Sequence, residues 1–150
     1  MPNVTPELVQ KAYGALATLD NAKIAEYWHE DMVWLVPGHN PLSGWYYGRE
    51  AFMAFMARVA EMSANSFRME VISVMTADNW STDVTNNLGH RAGMPEVQLN
   101  IDVAHVLHWK DGKVIGGKGG IFGDGTDQYD HFWSARPTGD GIAAQAKWHG

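Results

Sequence analysis

The residue that most invites a chemical reading is His105. It sits in VQLNIDVAHVLHW, residues 97–109, where positions alternate strictly between two sets. Val97, Leu99, Ile101, Val103, His105, Leu107 and Trp109 form one set, and Gln98, Asn100, Asp102, Ala104, Val106 and His108 form the other. Successive side chains of a strand point to opposite faces, so this is the pattern of a strand with one buried side. The imidazole at 105 interrupts an otherwise apolar face. It is either a core histidine bonded to a neighbour's backbone or the polar group of a pocket. In the second case it titrates near neutrality and can move a proton in either direction, as a general acid or base must. The remaining histidines do not complete a metal site. No His-x-His or His-Glu-x-x-His lies on a fitting element, and His105 and His108 face opposite sides of their strand. No Gly-rich loop joins a strand to a helix as a dinucleotide site requires. Neither a metal nor a cofactor is expected.

The composition narrows the function classes. The chain has 150 residues, 45% hydrophobic and 19% charged, which reads as one globular domain with a substantial core. A net charge of −6 without any basic run argues against nucleic acid or an acidic membrane surface as partner. The absence of cysteine excludes disulfides and thiolate chemistry. No apolar run suggests a signal peptide or a membrane span, so a soluble, cytoplasmic protein is expected. Seven tryptophans, five tyrosines, five phenylalanines and eight methionines supply either a bulky core or an aromatic-lined cavity.

The elements that must position His105 can be taken in chain order. Thr5-Pro6-Glu7 is a helix start, with a hydroxyl cap, proline at the first helical position and an acid in the first turn. Leu8, Ala12, Tyr13 and Leu16 fall on one face of that helix. Asp20 caps a second helix that ends at Asp31, and 32–36 is a short strand closed by Pro37-Gly38. A turn-rich loop, 39–48, precedes a third helix over 49–64 with Phe52, Phe55, Met56, Val59 and Met62 on its buried stripe. Strands follow over 67–76, 80–91, 97–109 and 113–122. The last two are joined at Asp111-Gly112, a hairpin signal because both turn positions need φ > 0. Glycines 116, 117, 119 and 120 in the last strand mark a bulge, a bend or the close approach of another group. Helices followed by four long antiparallel strands give an α+β protein whose curved sheet wraps around three helices, with a cone mouth suited to a ligand. Residues 1–136 form the domain and 137–150 a tail.

Several motifs in this order carry a family likeness. YWHEDMVWLVPG at 27–38 resembles the segment joining the second helix to the first strand in NTF2-like proteins. PLSG at 41–44, YGR at 47–49 opening a helix, DGKV at 111–114 and DQYDHFW at 127–133 resemble the SnoaL-like branch, related to ketosteroid isomerases and polyketide cyclases. The resemblance covers residues 5–134 and implies an NTF2-like cone with an apolar pocket. It implies cofactor-free acid/base chemistry, of isomerase, cyclase or dehydratase type, on a small hydrophobic carbonyl compound. The alternative is a binding or interaction domain of the same fold without catalysis.

Two departures bear on mechanism. Val36 stands where steroid isomerases place their general-base aspartate. Thr85-Asn86-Asn87-Leu88 lacks the Arg-x-Asp of limonene-epoxide-hydrolase-like proteins, and no aspartate stands near Gly119. The resemblance puts His105 near the oxyanion-stabilising acid of steroid isomerases and Tyr13 near their oxyanion tyrosine. Asp127, or alternatively Asp124, falls near the catalytic aspartate of polyketide cyclases. Asp-Gln-Tyr favours Asp127 as the carboxylate beside His105. By the same register Ile101 and Val103 line the pocket, and so do Asn86 and His90, which share a face with Trp80, Thr82, Val84 and Leu88. Trp28 and Trp34 wall it or simply pack, and His39 and Asn40 stand at its mouth or shape a turn. The 98–108 face, half polar and half apolar, is the expected surface of a homodimer.

Overall fold

The structure, a computed structural model, describes residues 3–136; the expected tail, 137–150, lies outside them. Four helices, α1 (Pro6–Ala17), α2 (Asn21–Tyr27), α3 (Arg49–Met62) and α4 (Thr126–Ser134), accompany six strands. These are β1 (Trp28–Val36), β2 (Gly44–Tyr47), β3 (Arg68–Ala77), β4 (Trp80–Arg91), β5 (Met94–Lys110) and β6 (Lys113–Ile121). The helix starts obey local chemistry. Thr5 Oγ1 accepts from the Leu8 N–H, and Asp20 Oδ1 accepts from the N–H groups of Ala22 and Lys23. The Asp111-Gly112 turn has φ of 52° and 79°, as a tight hairpin requires.

The strands form one curved, open sheet in the order β2-β1-β6-β5-β4-β3. Three expectations need correction. The sheet is mixed rather than antiparallel, because β1 runs parallel to β6. Residues 44–47, expected in a loop, pair with 33–36 as an edge strand. The chain after β6 forms a fourth helix, α4, whose Tyr129, Phe132 and Trp133 are buried at helical spacing. The second helix also ends four residues early. Trp28 is already extended, its buried indole N–H donating to the Ala12 carbonyl at 3.0 Å while its backbone starts β1.

Directly paired residues share a face, so the registers fix what each side of the sheet carries. Inside, Asp83 pairs with His105 and His105 with Gly119; Thr85 pairs with Val103, and Asn87 with Ile101. Outside, one row crosses all six strands as Trp45, Leu35, Lys118, Val106, Thr82 and Met75. The next row holds Tyr47, Val33, Gly116, His108 and Trp80, with the Trp80 and His108 rings stacked 4.2 Å apart.

The glycines of β6 now have a physical reason. A Cβ on Gly117 would collide with the Trp34 ring and the end of Leu107; one on Gly119 would press on Pro37 at 3.1 Å and meet His105 at 3.6 Å. Both glycines face inward and leave room for the aromatic floor above them. Gly117→Ala forces the buried Trp34 indole to move against Phe52 and Trp28. Chemical denaturation is expected to show a loss of about 1–3 kcal/mol, the usual cost of overpacking a core. Gly120→Ala, whose Cβ would make only a 3.8 Å contact, should change stability little in the same experiment.

Candidate active site

The inner face of β4 carries Ser81, Asp83, Thr85 and Asn87, all buried. Asp83 has no solvent contact, and two side chains reach it. The Tyr13 hydroxyl, from α1, donates to Oδ2 at 2.6 Å. Nδ1 of His105, from β5, lies 2.8 Å from Oδ1. A buried carboxylate is costly unless its oxygens are hydrogen-bonded, and here each oxygen has a donor. For the imidazole to donate to a carboxylate, Nδ1 must carry hydrogen, which leaves Nε2 as the acceptor in the neutral ring. Among the described residues Nε2 makes no hydrogen bond. The His105 ring packs against Trp34 and Tyr13, with centroids at 5.7 and 6.4 Å, and lines a cavity of about 870 Å³.

The cavity lies between the sheet, α1, α3 and α4. Trp34, Val36, Phe52, Phe55 and Met56 form its apolar wall, and Met69 and Val71 of the edge strand reach it while partly exposed. Its floor is polar where β4 passes beneath. The Thr85 hydroxyl donates to Asn87 Oδ1 at 2.9 Å, and both residues line the space. Tyr129 and Trp133 close it from α4. Burial pushes the Tyr129 phenol well above its ordinary value, with the Trp133 N–H beside it acting in the opposite direction. Arg91 fixes α4 in place, its guanidinium donating to the carbonyls of Phe132 at 2.7 Å and Met62 at 3.2 Å.

Several sequence expectations fall elsewhere. Asp127 is exposed in the first turn of α4 and does not line the cavity, so the carboxylate beside His105 is Asp83 instead. Asp124 sits in the single turn Gly123–Gly125. Asn86 and His90 are on the outer face, because β4 presents its odd-numbered residues inward. Asn86 Nδ2 there donates to Asn100 Oδ1 at 2.8 Å and Asp102 Oδ1 at 3.1 Å. The side chain of His39 is exposed. Its backbone N–H and the Asn40 amide both donate to Asp130 Oδ1, so this pair shapes a turn. Trp28 is fully buried and packs behind Phe52 rather than lining the space. Ile101 is inward but covered, its side chain lying against Gly125. Tyr13, Trp34, Val103 and His105 do meet at the cavity. Sequence reading missed Asp83, Thr85 and Asn87. The signal for them was period-two polarity on β4, assigned to the wrong face.

Burial, then the Asp83 charge, then the hydrogen bond to it hold the Tyr13 phenol well above its ordinary value. Tyr13 therefore stays protonated, and its one proton points at Asp83. A group with a raised folded pKa contributes stability below its unfolded pKa and loses it as pH rises through the folded one. Above pH of about 10 the unfolded chain ionises this tyrosine while the folded chain does not, a slope of about 1.4 kcal/mol per pH unit. Tyr129 acts in the same sense. Tyr13→Phe should flatten the alkaline decline of unfolding free energy between roughly pH 10 and 11 by up to that slope. Urea titrations of both proteins across this range check it.

Comparison with known proteins places this geometry. No curated protein matches the sequence. Among solved structures, Bal32a from a soil-derived mobile gene cassette is 26% identical with a TM-score of 0.76, the match covering 85% of this chain and 94% of that one. An NTF2-like protein of Burkholderia xenovorans is 16% identical, TM-score 0.69, covering 83% of this chain and 93% of that one. A protein of Catenulispora acidiphila with a ketosteroid isomerase-like fold, solved with trimethylamine, is 17% identical, TM-score 0.67, covering 82% and 91%. The fold is thus the NTF2-like cone that the family resemblance implied. The family model for the SnoaL-like domain matches residues 9–116, from α1 through the start of the glycine-bearing strand, and the chain belongs to the SnoaL-like family.

Proposed function

We propose that this protein performs cofactor-free acid/base chemistry on a small hydrophobic carbonyl compound, with His105 moving the proton. The observation that carries this reading is the allocation of the two imidazole nitrogens. Nδ1 is held by Asp83 at 2.8 Å, while Nε2 is left without a protein partner on a ring that lines an apolar cavity. The Nε2 lone pair accepts a proton from the carbon next to the carbonyl, and the C–H electrons move into the enolate. The imidazolium so formed is stabilised by the Asp83 carboxylate. The same Nε2–H then returns the proton to a different carbon in an isomerisation, or to a departing hydroxyl in a dehydration. Tyr13 acts through Asp83 as a positioning residue, since its proton is already committed.

A test needs no knowledge of the natural substrate. Removal of a proton next to a carbonyl shows as deuterium exchange, followed by proton NMR of a simple bicyclic ketone such as 2-tetralone in deuterated buffer. The wild type is expected to accelerate exchange above buffer. His105→Gln should lose about 10²–10⁴ of that acceleration, the usual contribution of a general acid or base, at an unchanged melting temperature. Asp83→Asn should lose a comparable factor, because Nδ1 then lacks its carboxylate. A folded His105→Gln protein that exchanges as fast as wild type overturns the assignment.

We also propose that the protein pairs through the outer sheet face. The two rows described above carry Trp80, Trp45 and Val106 at 49%, 44% and 41% exposure, next to the more exposed Tyr47. A two-fold contact can bring such rows onto themselves. Multi-angle light scattering at micromolar concentration should give twice the 16.6 kDa chain mass, and Val106→Glu should return it to one. A monomer mass for wild type contradicts the pairing.

A further inference from the structure

The cavity has a second polar end. Ser81, Asp83, Thr85 and Asn87 follow one another along the inner face of β4. Asp83 and Asn87 are four residues apart, or about 13 Å at the usual strand rise. The helix α4 lies at the Asn87 end of the strand, where Arg91 bonds the Phe132 carbonyl and Gly125 lies against Ile101, the partner of Asn87, and its Tyr129 and Trp133 line the cavity. Two groups there have hydrogen-bonding capacity that the protein does not fully use. The Trp133 residue is 2% exposed, and its buried indole N–H lies toward the Tyr129 hydroxyl, whose pKa it lowers, without meeting any described acceptor in hydrogen-bond geometry. The contrast with two other buried tryptophans is informative: Trp28 donates to Ala12 at 3.0 Å and Trp109 donates to the Ser81 hydroxyl at 2.8 Å. Asn87 is 4% exposed, and its Oδ1 accepts from Thr85. That bond turns the oxygen of the amide toward Thr85 and leaves the NH₂ group of this cavity-lining residue without a protein partner among the described residues. An unpaired buried donor such as the Trp133 N–H costs of order 1–3 kcal/mol, and proteins ordinarily avoid it.

We propose that Asn87 and Trp133 form a subsite for a hydrogen-bond-accepting oxygen of the ligand, at the end of the cavity away from His105. The ligand class that follows is an elongated, mostly apolar molecule with its reacting carbon at one end and a carbonyl, carboxylate or ether oxygen at the other. Both groups here are donors, so a ligand whose distal end only donates is disfavoured. The apolar wall between the two ends, Trp34, Phe52, Phe55 and Met56, suits a flat hydrocarbon body. The inference rests on the reading of this cavity as a ligand site, but not on His105 being catalytic.

Two near-isosteric probes test it: 2-acetonaphthone, which carries an acceptor oxygen, and 2-isopropylnaphthalene, which does not. Binding is followed by the indole N–H resonances of ¹⁵N-labelled protein, that of Trp133 being the one missing in Trp133→Phe. The wild type should bind the ketone more tightly than the hydrocarbon, with the Trp133 resonance moving downfield only for the ketone. Asn87→Leu and Trp133→Phe should each lower ketone affinity by roughly three- to tenfold, as expected for one neutral hydrogen bond. Hydrocarbon affinity should change less than that. Trp133→Phe keeps the aromatic packing and so serves if Asn87→Leu folds poorly. Equal binding of both probes with an unmoved Trp133 resonance overturns the subsite. If His105→Gln removes the ketone preference while the two α4-end variants keep it, the oxygen sits at His105; the subsite is then wrong and the catalytic reading stands. Failure of the wild type to bind either probe overturns both, because it removes the ligand site itself.

Discussion

Asp83 is the constraint on which the rest of the site depends. A carboxylate with no access to water must find its donors within the protein, and the penalty for failing is several kcal/mol per ion. It finds them on two other elements, Tyr13 on α1 and His105 on β5. The first bond spans 70 residues of sequence and holds α1 over the sheet at one height. The second gives the imidazole one orientation and one tautomer, with Nε2 away from the carboxylate. The same three groups therefore set the packing of a helix and which imidazole nitrogen faces the cavity unbonded. Removing either donor without supplying another would leave a buried charge half-solvated, so the chemistry can be changed apart from the packing only by side chains that still donate to Asp83.

The cavity persists because its walls are braced against one another rather than against its contents. Trp28 stacks on Phe52 at 5.3 Å, Phe52 tilts against Trp34 at 5.0 Å, and Trp34 reaches the His105 ring. Rigid aromatic groups hold such an arrangement with little loss of rotamer freedom. The glycines of β6 are its counterpart, since the Trp34 ring occupies the space where a Gly117 side chain would stand. The large aromatic content of the chain is spent in part on a wall, not only on a core.

How far the sequence disclosed this depends on what each element buries. The two faces of β5 were legible because one is apolar and the other polar, although the strand begins at Met94 rather than Val97. The hairpin at Asp111-Gly112, the caps at Thr5 and Asp20 and the stripe on α3 were legible for equally local reasons. The inner face of β4 was not. Its outward residues include Trp80, Val84 and Leu88, while its inward ones are Ser81, Asp83, Thr85 and Asn87, so hydrophobicity points to the wrong side. A shift of one residue turns every side chain over, and with it Asn86 and His90 exchanged places with Asp83 and Asn87 as candidates. Asp127 failed for a different reason. The family likeness fixed its place in the order of motifs, but residues 126–134 close into a helix that carries it to the surface. The parallel pairing of β1 with β6 left no local trace, since contact between the strands at opposite ends of the chain is a property of topology alone.

The polar inner face of β4 also separates structural from functional polarity. Toward the hairpin end, Ser81 is bonded by Trp109, and next Asp83 is bonded by both Tyr13 and His105. Further along, Thr85 donates to Asn87, and the indole N–H of Trp133, on the same cavity, meets no acceptor in hydrogen-bond geometry among the described residues. A sheet that served only as a core would carry β-branched apolar residues at these positions, as β5 does at Val103 and Ile101. Satisfaction of polar groups thus falls along one strand as it runs from the packed end toward α4.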